Sequence, residues 1–317
     1  MANFHFALER QTFEVAALRR VKEWLPQDSV VTVPQVHSFD EDANVIIMDD
    51  CGEDAVTLKQ LLLTASPQPL LAKEIGMSLG AFIGSFHSRG SGDDACLTFF
   101  DKYEMGKSMS AFITYGRLVS TLTEGKLPAL SDPPLDIPQD QLDRVAIIAK
   151  DTTHAMLTTR ETLVMGDFWP GNMLVKLRPG DDGEARLERI WVVDWEVAKP
   201  GLAGVEIGQI CAELALVQRF SSEGREASKH ILTALLRAYR DVRTVGLDVA
   251  RTALVHVGAH FVAWTPRVQW GDKETVREVV REGVEYLVNA PEAEEEYVRG
   301  SLLGELLPQE VSGSVVI

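Results

Sequence analysis

Cysteine is scarce in this chain. Cys51, Cys96 and Cys211 are odd in number and far apart, with no C-x-x-C pair among them. That spacing excludes a disulfide framework and a thiolate metal site, and it suits a reducing compartment, the cytoplasm. Basic residues are in deficit, with 31 Lys and Arg against 47 Asp and Glu and a formal charge of -16. Phosphate backbones attract basic surfaces, so nucleic acid is not an expected partner. A cationic small molecule suits the acidic balance, and so does the plain solubility of an acidic protein. Long apolar runs are missing too: nothing approaches the about 18 residues that cross a bilayer, and Glu9, Arg10 and Glu14 interrupt the opening stretch where a secretory signal needs an apolar core. A membrane is not expected as a partner. No H-E-x-x-H and no EF-hand loop occurs, so metalloprotease and calcium-sensor readings gain no support, nor does a hydrolase reading. Nothing in the sequence bears on oligomeric state.

What the chain does hold is enough apolar material, 45% of 317 residues, for one large core or two modest ones. Phe13 to Leu25 recur at helical spacing up to Pro26, which predicts an opening helix of about four turns. Val30 to Phe39 and Asn44 to Met48 predict two strands joined by the polar turn at Asp40, Glu41 and Asp42. Helical patterns then dominate, over Leu58–Leu63, Leu70–His87, Tyr103–Leu122 and Gln139–Thr158. Short strand-like runs, Leu163–Met165, Met173–Leu177 and Arg189–Val193, come next, with a turn over Pro179–Gly183. Four further helical patterns run from Val205 to Asn289, and the acidic tail from Glu292 is expected to be peripheral.

The segment Gly166-Asp167-Phe168-Trp169-Pro170-Gly171-Asn172 sets a carboxylate five positions before an amide on a loop kinked by Pro and Gly. After the hairpin, Val192-Val193-Asp194-Trp195-Glu196 brings a second carboxylate to the end of an apolar strand. Phosphoryl transfer needs such a set: an Asp to accept the proton of the attacking hydroxyl, and an Asn and an Asp to hold magnesium on the nucleotide phosphates. Taken singly, Asp and Asn are ordinary turn formers.

Together, G-D-x-x-x-x-N, a hairpin, and apolar-apolar-Asp resemble the catalytic loop and metal-binding segment of the aminoglycoside phosphotransferase and choline kinase families. The resemblance is greatest to the fungal-type branch, whose members show G-D-F-W-P-G-N and D-W-E followed by P-G-x-x-G-x-E-x-G-Q. It runs from the opening helix to about Tyr286. It implies an α+β, protein-kinase-like fold with a mostly helical C-terminal lobe, an embedded catalytic hairpin and an incomplete N-terminal lobe. Residues 1–50 would be the remnant of the nucleotide-binding lobe and 51–317 the catalytic and substrate lobe. The implied activity is ATP- and magnesium-dependent phosphorylation of a hydroxyl on a small molecule. Asp167 would be the catalytic base, and Asn172 and Asp194 the magnesium ligands. Glu14 would partner the nucleotide-binding lysine, and Met48, Asp49 and Asp50 would form the hinge beside the adenine. Glu206 would stand where relatives have an Asp that braces the catalytic loop.

The chain departs from that pattern at its front. No G-x-G-x-x-G and no strand lysine precede the opening helix, Met165 stands where many relatives have His, and Glu196 stands where protein kinases have Gly. The expectation is an N-terminally truncated kinase, with an inactive pseudokinase or a small-molecule-binding protein as the alternative. His256 and His260 are spaced i, i+4 on a helix, but without the Glu or a third ligand they read as core histidines rather than a zinc pair. His87 is expected to cap the end of its helix. Trp264, Trp270 and Tyr286, interleaved with acids, could line a pocket for a cation or simply face the core.

Overall fold

The computed structural model describes residues 8–308. The chain opens with helix α1 (Glu9–Trp24), which buries Phe13, Ala17, Leu18 and Val21, residues three or four apart on one face, and adds Val15. Helix α1 ends before Pro26, as expected from a residue with no backbone N–H to continue the ladder.

The following apolar run divides where one strand was expected. Strand β1 (Val31–Thr32) is only a pair of residues, Pro34 interrupts the run, and β2 (Val36–Asp40) turns back on β3 (Val45–Met48) as an antiparallel hairpin. Strand β1 instead lies parallel to the second strand of the catalytic hairpin, Val31 opposite Ile190. A further two-residue strand, β4 (Val56–Thr57), was not apparent from the sequence. It pairs with the first strand of the same hairpin.

Helices α2 (Leu58–Thr64), α3 (Pro69–Ser91), α4 (Asp94–Phe100), α5 (Glu104–Thr114), α6 (Leu118–Thr123), α7 (Pro128–Ser131) and α8 (Gln139–Thr158) follow. The single helix expected over Tyr103–Leu122 is broken by a 3-10 turn at Tyr115–Arg117. Strand β5 (Thr162–Val164) leads into the G-D-x-x-x-x-N loop. Strands β6 (Met173–Pro179) and β7 (Ala185–Val192) form the embedded hairpin, and β8 (Lys199–Gly201) returns antiparallel to β5. The chain closes with α9 (Ala203–Phe220), α10 (Arg225–Val242), α11 (Leu247–Trp264), α12 (Lys273–Asn289) and α13 (Glu295–Arg299).

Close helix packing follows from small residues. A Cβ on Gly76 or Gly80 of α3 would stand 2.4 Å from the Ile231 carbonyl and 2.2 Å from the Leu235 carbonyl of α10, so only glycine permits this approach. These glycines frame Gly76-Met77-Ser78-Leu79-Gly80, which does match the hydrolase pattern G-x-S-x-G. The serine lies in mid-helix rather than on a strand-to-helix elbow, so the match is a packing feature. The acidic tail is not peripheral. Val298, Leu303, Leu306 and Leu307 are buried, and Arg240 donates to the carbonyls of Glu305 and Leu307. Buried residues from Phe13 to Leu307 form one cluster.

Candidate active site

The loop after β5 turns at Gly166, whose φ of 86° is open to glycine without strain. A Cβ there would also meet the Lys199 amine at 2.3 Å. Beyond the turn, Asp167 is gripped from two sides. Its Oδ1 accepts from Gln209 Nε2 of α9 at 2.7 Å, and its Oδ2 accepts from Asn172 Nδ2 at 3.0 Å. Burial raises the Asp167 pKa, opposed by the Gln209 bond, and the nearby Asp194 charge adds to the rise. The carboxylate is therefore held in place and made more willing to take a proton. Gln209 closes the P-G-x-x-G-x-E-x-G-Q run, a position to which sequence reasoning gave no role.

Glu206 braces the loop from beneath, as the resemblance implied. Its two carboxylate oxygens accept from the backbone N–H groups of Gly166, at 2.7 Å, and Met165, at 3.1 Å. His87 joins this bracing and does not cap a helix end. It lies inside α3, fully buried, with Nε2 2.9 Å from Glu206 and Nδ1 3.0 Å from the Tyr239 hydroxyl. The helix runs on to Ser91, so the carbonyls at His87 are already engaged within it. Only tertiary packing brings α3, α9 and α10 together at this point.

Asp194 sits just past β7 with a φ of 68°, a left-handed backbone that a non-glycine residue adopts at a cost of about 1–3 kcal/mol. The fully buried Trp195 holds it there, its ring nitrogen donating to the Val192 carbonyl at 2.9 Å. Burial raises the Asp194 pKa, and Arg10 opposes that rise. Glu14, on α1, faces this same segment. Burial first, then the charges of Asp194 and Glu196, push its pKa up to about 7, against a hydrogen bond from the Trp195 backbone. The cation acting on it is Arg10, which pairs with Glu196 at 2.9 Å.

The donors fit a magnesium ion. Asn172 spends its Nδ2 on Asp167, through both the side chain and the carbonyl at 3.0 Å, and this leaves its Oδ1 as the free end. Among the described residues no three His, Cys, Asp or Glu side chains form a metal cage. Magnesium asks for none, because it is held by one or two protein oxygens and completes its shell with phosphates and water.

The residues expected at the hinge are engaged locally. Asp49 accepts from the Gln35 backbone at 3.0 Å and lies 2.7 Å from His37 Nε2. Burial works to raise its pKa, but these two partners outweigh it and leave it lowered. Asp50 accepts from the Gly52 backbone at 3.0 Å, and Met48 is half-buried at the end of β3.

Between the catalytic loop and helices α5, α8, α9 and α11 lies a cavity of about 260 Å³. Asp167, Asp194, Glu196 and Glu206 place four carboxylates on its wall, and Met109, Ile113, Met156 and Trp264 supply apolar surface. Glu14, Met48, Asp49, Asp50 and Asn172 are not part of this wall. Lys199 is, and burial lowers its pKa to about 8 against the charges of Glu206 and Asp167. His256 and His260 are buried as expected, yet they wall the cavity rather than fill the core. Nearby, Glu213 binds His260 at 2.9 Å and Lys59 at 3.2 Å, with the Lys59 amine over the rings of Trp169 and Trp270. Lys59, Lys199 and Glu213 carried no motif in the sequence; their partners lie up to 154 positions away.

The chain is 30% identical over 300 residues to a 4-hydroxytryptamine kinase of Psilocybe cyanescens, covering 92% of this chain and 76% of that protein. It is 28% identical over 292 residues to the 4-hydroxytryptamine kinase of Psilocybe cubensis, covering 89% and 74%. A choline/ethanolamine kinase family protein from Mesorhizobium loti superposes with a TM-score of 0.44 at 16% identity, over 93% of this chain and 82% of that one. The profile of the phosphotransferase enzyme family matches residues 4–249, across the catalytic loop, the Asp194 segment and α9. The chain, α+β in its make-up, thus belongs to the phosphotransferase enzyme family, as a small-molecule phosphotransferase.

Proposed function

We propose that the protein transfers the γ-phosphoryl group of ATP to a hydroxyl of a small hydroxylated amine. Asp167 accepts the hydroxyl proton, held in aim by Asn172 and Gln209. Asn172 and Asp194 hold magnesium, which neutralises charge on the phosphates when bound. Catalysis is then mainly positioning and charge neutralisation. Residues 1–50, with Glu14 against the Asp194 segment and Met48, Asp49 and Asp50 as hinge, form the nucleotide side, and residues 51–317 form the acceptor side. The reaction belongs in the cytoplasm, where free cysteines persist.

The observation that carries this reading is the double grip on Asp167 at the wall of the cavity. Its about 260 Å³ lies just below the usual about 300–1,000 Å³ range for ligand pockets, which favours a one- or two-ring acceptor over an oligosaccharide. The wall carboxylates not spent on bracing the loop, Asp167, Asp194 and Glu196, suit an ammonium on that acceptor, and the Psilocybe relatives are kinases of a hydroxylated amine.

The test is Asp167→Asn, assayed with Mg-ATP and 4-hydroxytryptamine. The expected result is a loss of transfer of about 10²-fold or more with nucleotide binding retained. Unchanged turnover would refute the assignment of Asp167. A nucleotide-binding protein without transfer is the second reading, favoured by Glu14 having Arg10 rather than a lysine as its cationic neighbour. Nucleotide binding by wild type with no transfer to any hydroxylated amine would establish it.

A further inference from the structure

One polar atom in the cavity wall has no use in the reaction as described. His256, on α11, is 4% exposed and lines the cavity. Its Nδ1 lies 3.0 Å from the Tyr115 hydroxyl. Among the described residues no hydrogen bond reaches its Nε2, and that nitrogen is not one of the sealed polar atoms of the interior.

The proton on the imidazole can be assigned from its partner. Tyr115 is 1% exposed, and His256 is its hydroxyl's hydrogen-bond partner. A buried donor left without an acceptor costs more than a lone pair left idle, so the hydroxyl donates to Nδ1. The ring proton then sits on Nε2, because the bond at one nitrogen fixes the state of the other. Burial, then the charges of His260 and Lys199, lowers the His256 pKa to about 3, so the ring is neutral at physiological pH. Burial likewise pushes the Tyr115 hydroxyl well above its ordinary range.

We propose that His256 is a catalytic residue whose Nε2–H donates to the oxygen of the acceptor hydroxyl while Asp167 takes the proton of that same hydroxyl. This rests on the phosphotransfer reading. A hydroxyl has one proton and two lone pairs. Asp167 accepts the proton, one lone pair attacks phosphorus, and the other is left for a donor. The reacting oxygen is also the one oxygen that every acceptor of this reaction must carry. Asp167, Lys199 and His256 all line this same cavity.

In the step itself the O–H bond breaks with its proton passing to Asp167, and an O–P bond forms. The old P–O bond leaves its electron pair on the nucleoside diphosphate. His256 keeps its proton throughout. A neutral donor steadies the charge growing on the oxygen without competing with Asp167 as a base.

The experiment uses the full chain with Mg-ATP and 4-hydroxytryptamine as probe. His256→Phe should lower kcat by about 10- to 100-fold with KM within about threefold, because the donor acts on charge that grows in the transition state. His256→Gln, whose amide can donate, should keep kcat within about fivefold of wild type. The inference is overturned if His256→Phe keeps kcat within about threefold or loses only KM. It is also overturned if both variants fall equally at wild-type melting temperature, since that pattern reports packing. Should His256→Phe fail to fold, Tyr115→Phe replaces it. Freeing Nδ1 lets the proton leave Nε2, and kcat should fall by about fivefold or more; no change overturns the inference. Absence of wild-type transfer to the probe removes the hydroxylated-amine reading and this inference with it. Loss in Asp167→Asn alongside an intact His256→Phe removes this inference alone.

Discussion

Asp167, in the loop between β5 and β6, and Asp49, just past the β2–β3 hairpin, both sit beside short strands, yet their carboxylates are secured in opposite ways. Asp167 is held by Gln209, 42 positions away, and its loop is braced by Glu206 and His87 from two different helices. Asp49 finds its partners at Gln35 and His37, within 14 positions, and stays half-open to water. A buried carboxylate must be paired or neutralised, so the first region depends on the whole fold, whereas solvent screens the second. The difference separates a carboxylate fixed by distant parts of the fold, as the proposed catalytic role of Asp167 requires, from a connecting segment that satisfies itself.

Removing the brace should break the comparison most severely. Glu206→Ala leaves two backbone N–H groups and a buried histidine without their acceptor, and is expected to cost about 3–5 kcal/mol of stability. Denaturant unfolding reads this directly, and transfer should fall with it even in folded protein.

Glu14 sharpens the comparison from the buried side, because it faces the Asp194 segment. Its folded pKa of about 7 lies above the ordinary 4.5, so the folded state holds the proton more tightly. That contribution to stability is fully present below about pH 4.5 and is lost as pH rises through about 7. Glu14→Gln does not ionise and escapes the loss. Metal-free Glu14→Gln should therefore gain on wild type between pH 5 and pH 8, by about 1 kcal/mol after discounting for partial exposure. Melting temperatures across that range check it, and a gain confined to low pH would contradict the assignment.

The smallest effect is expected at the hinge. Asp49→Asn weakens an exposed pair with His37 and should change stability by less than about 1 kcal/mol, further reduced in high salt. A large loss there would mean that the hairpin is braced as firmly as the catalytic loop.

Much of this site was legible because its chemistry is local in sequence. Asp167 and Asn172 are five positions apart on one loop, and Asp194 ends the apolar strand that follows, so pattern alone indicated the loop and the hairpin between them. Glu206 was legible through its place in the P-G-x-x-G-x-E-x-G-Q run. His87 was misread because a histidine late in a helical pattern looks like a cap. Its partners, Glu206 and Tyr239, lie 119 and 152 positions on. Lys199 and Lys59 drew no reading for the same reason, since side-chain type does not reveal what covers it. Strand β1 was lost inside a longer apolar run, because two residues carry no periodicity and only their parallel partner β7 defines them.

By itself the sequence determined the helical faces, the breaks at proline and glycine, and the order of the candidate site groups along the chain. Each of these follows from backbone geometry and from chemistry within a few residues. Tertiary structure alone decided which polar groups were buried and what met them: Glu206 under the loop, Glu14 against Asp194, and His256 with its free nitrogen at the cavity wall. Burial and electrostatic neighbourhood depend on the packing of helices far apart in the chain, and a linear pattern does not encode that distance.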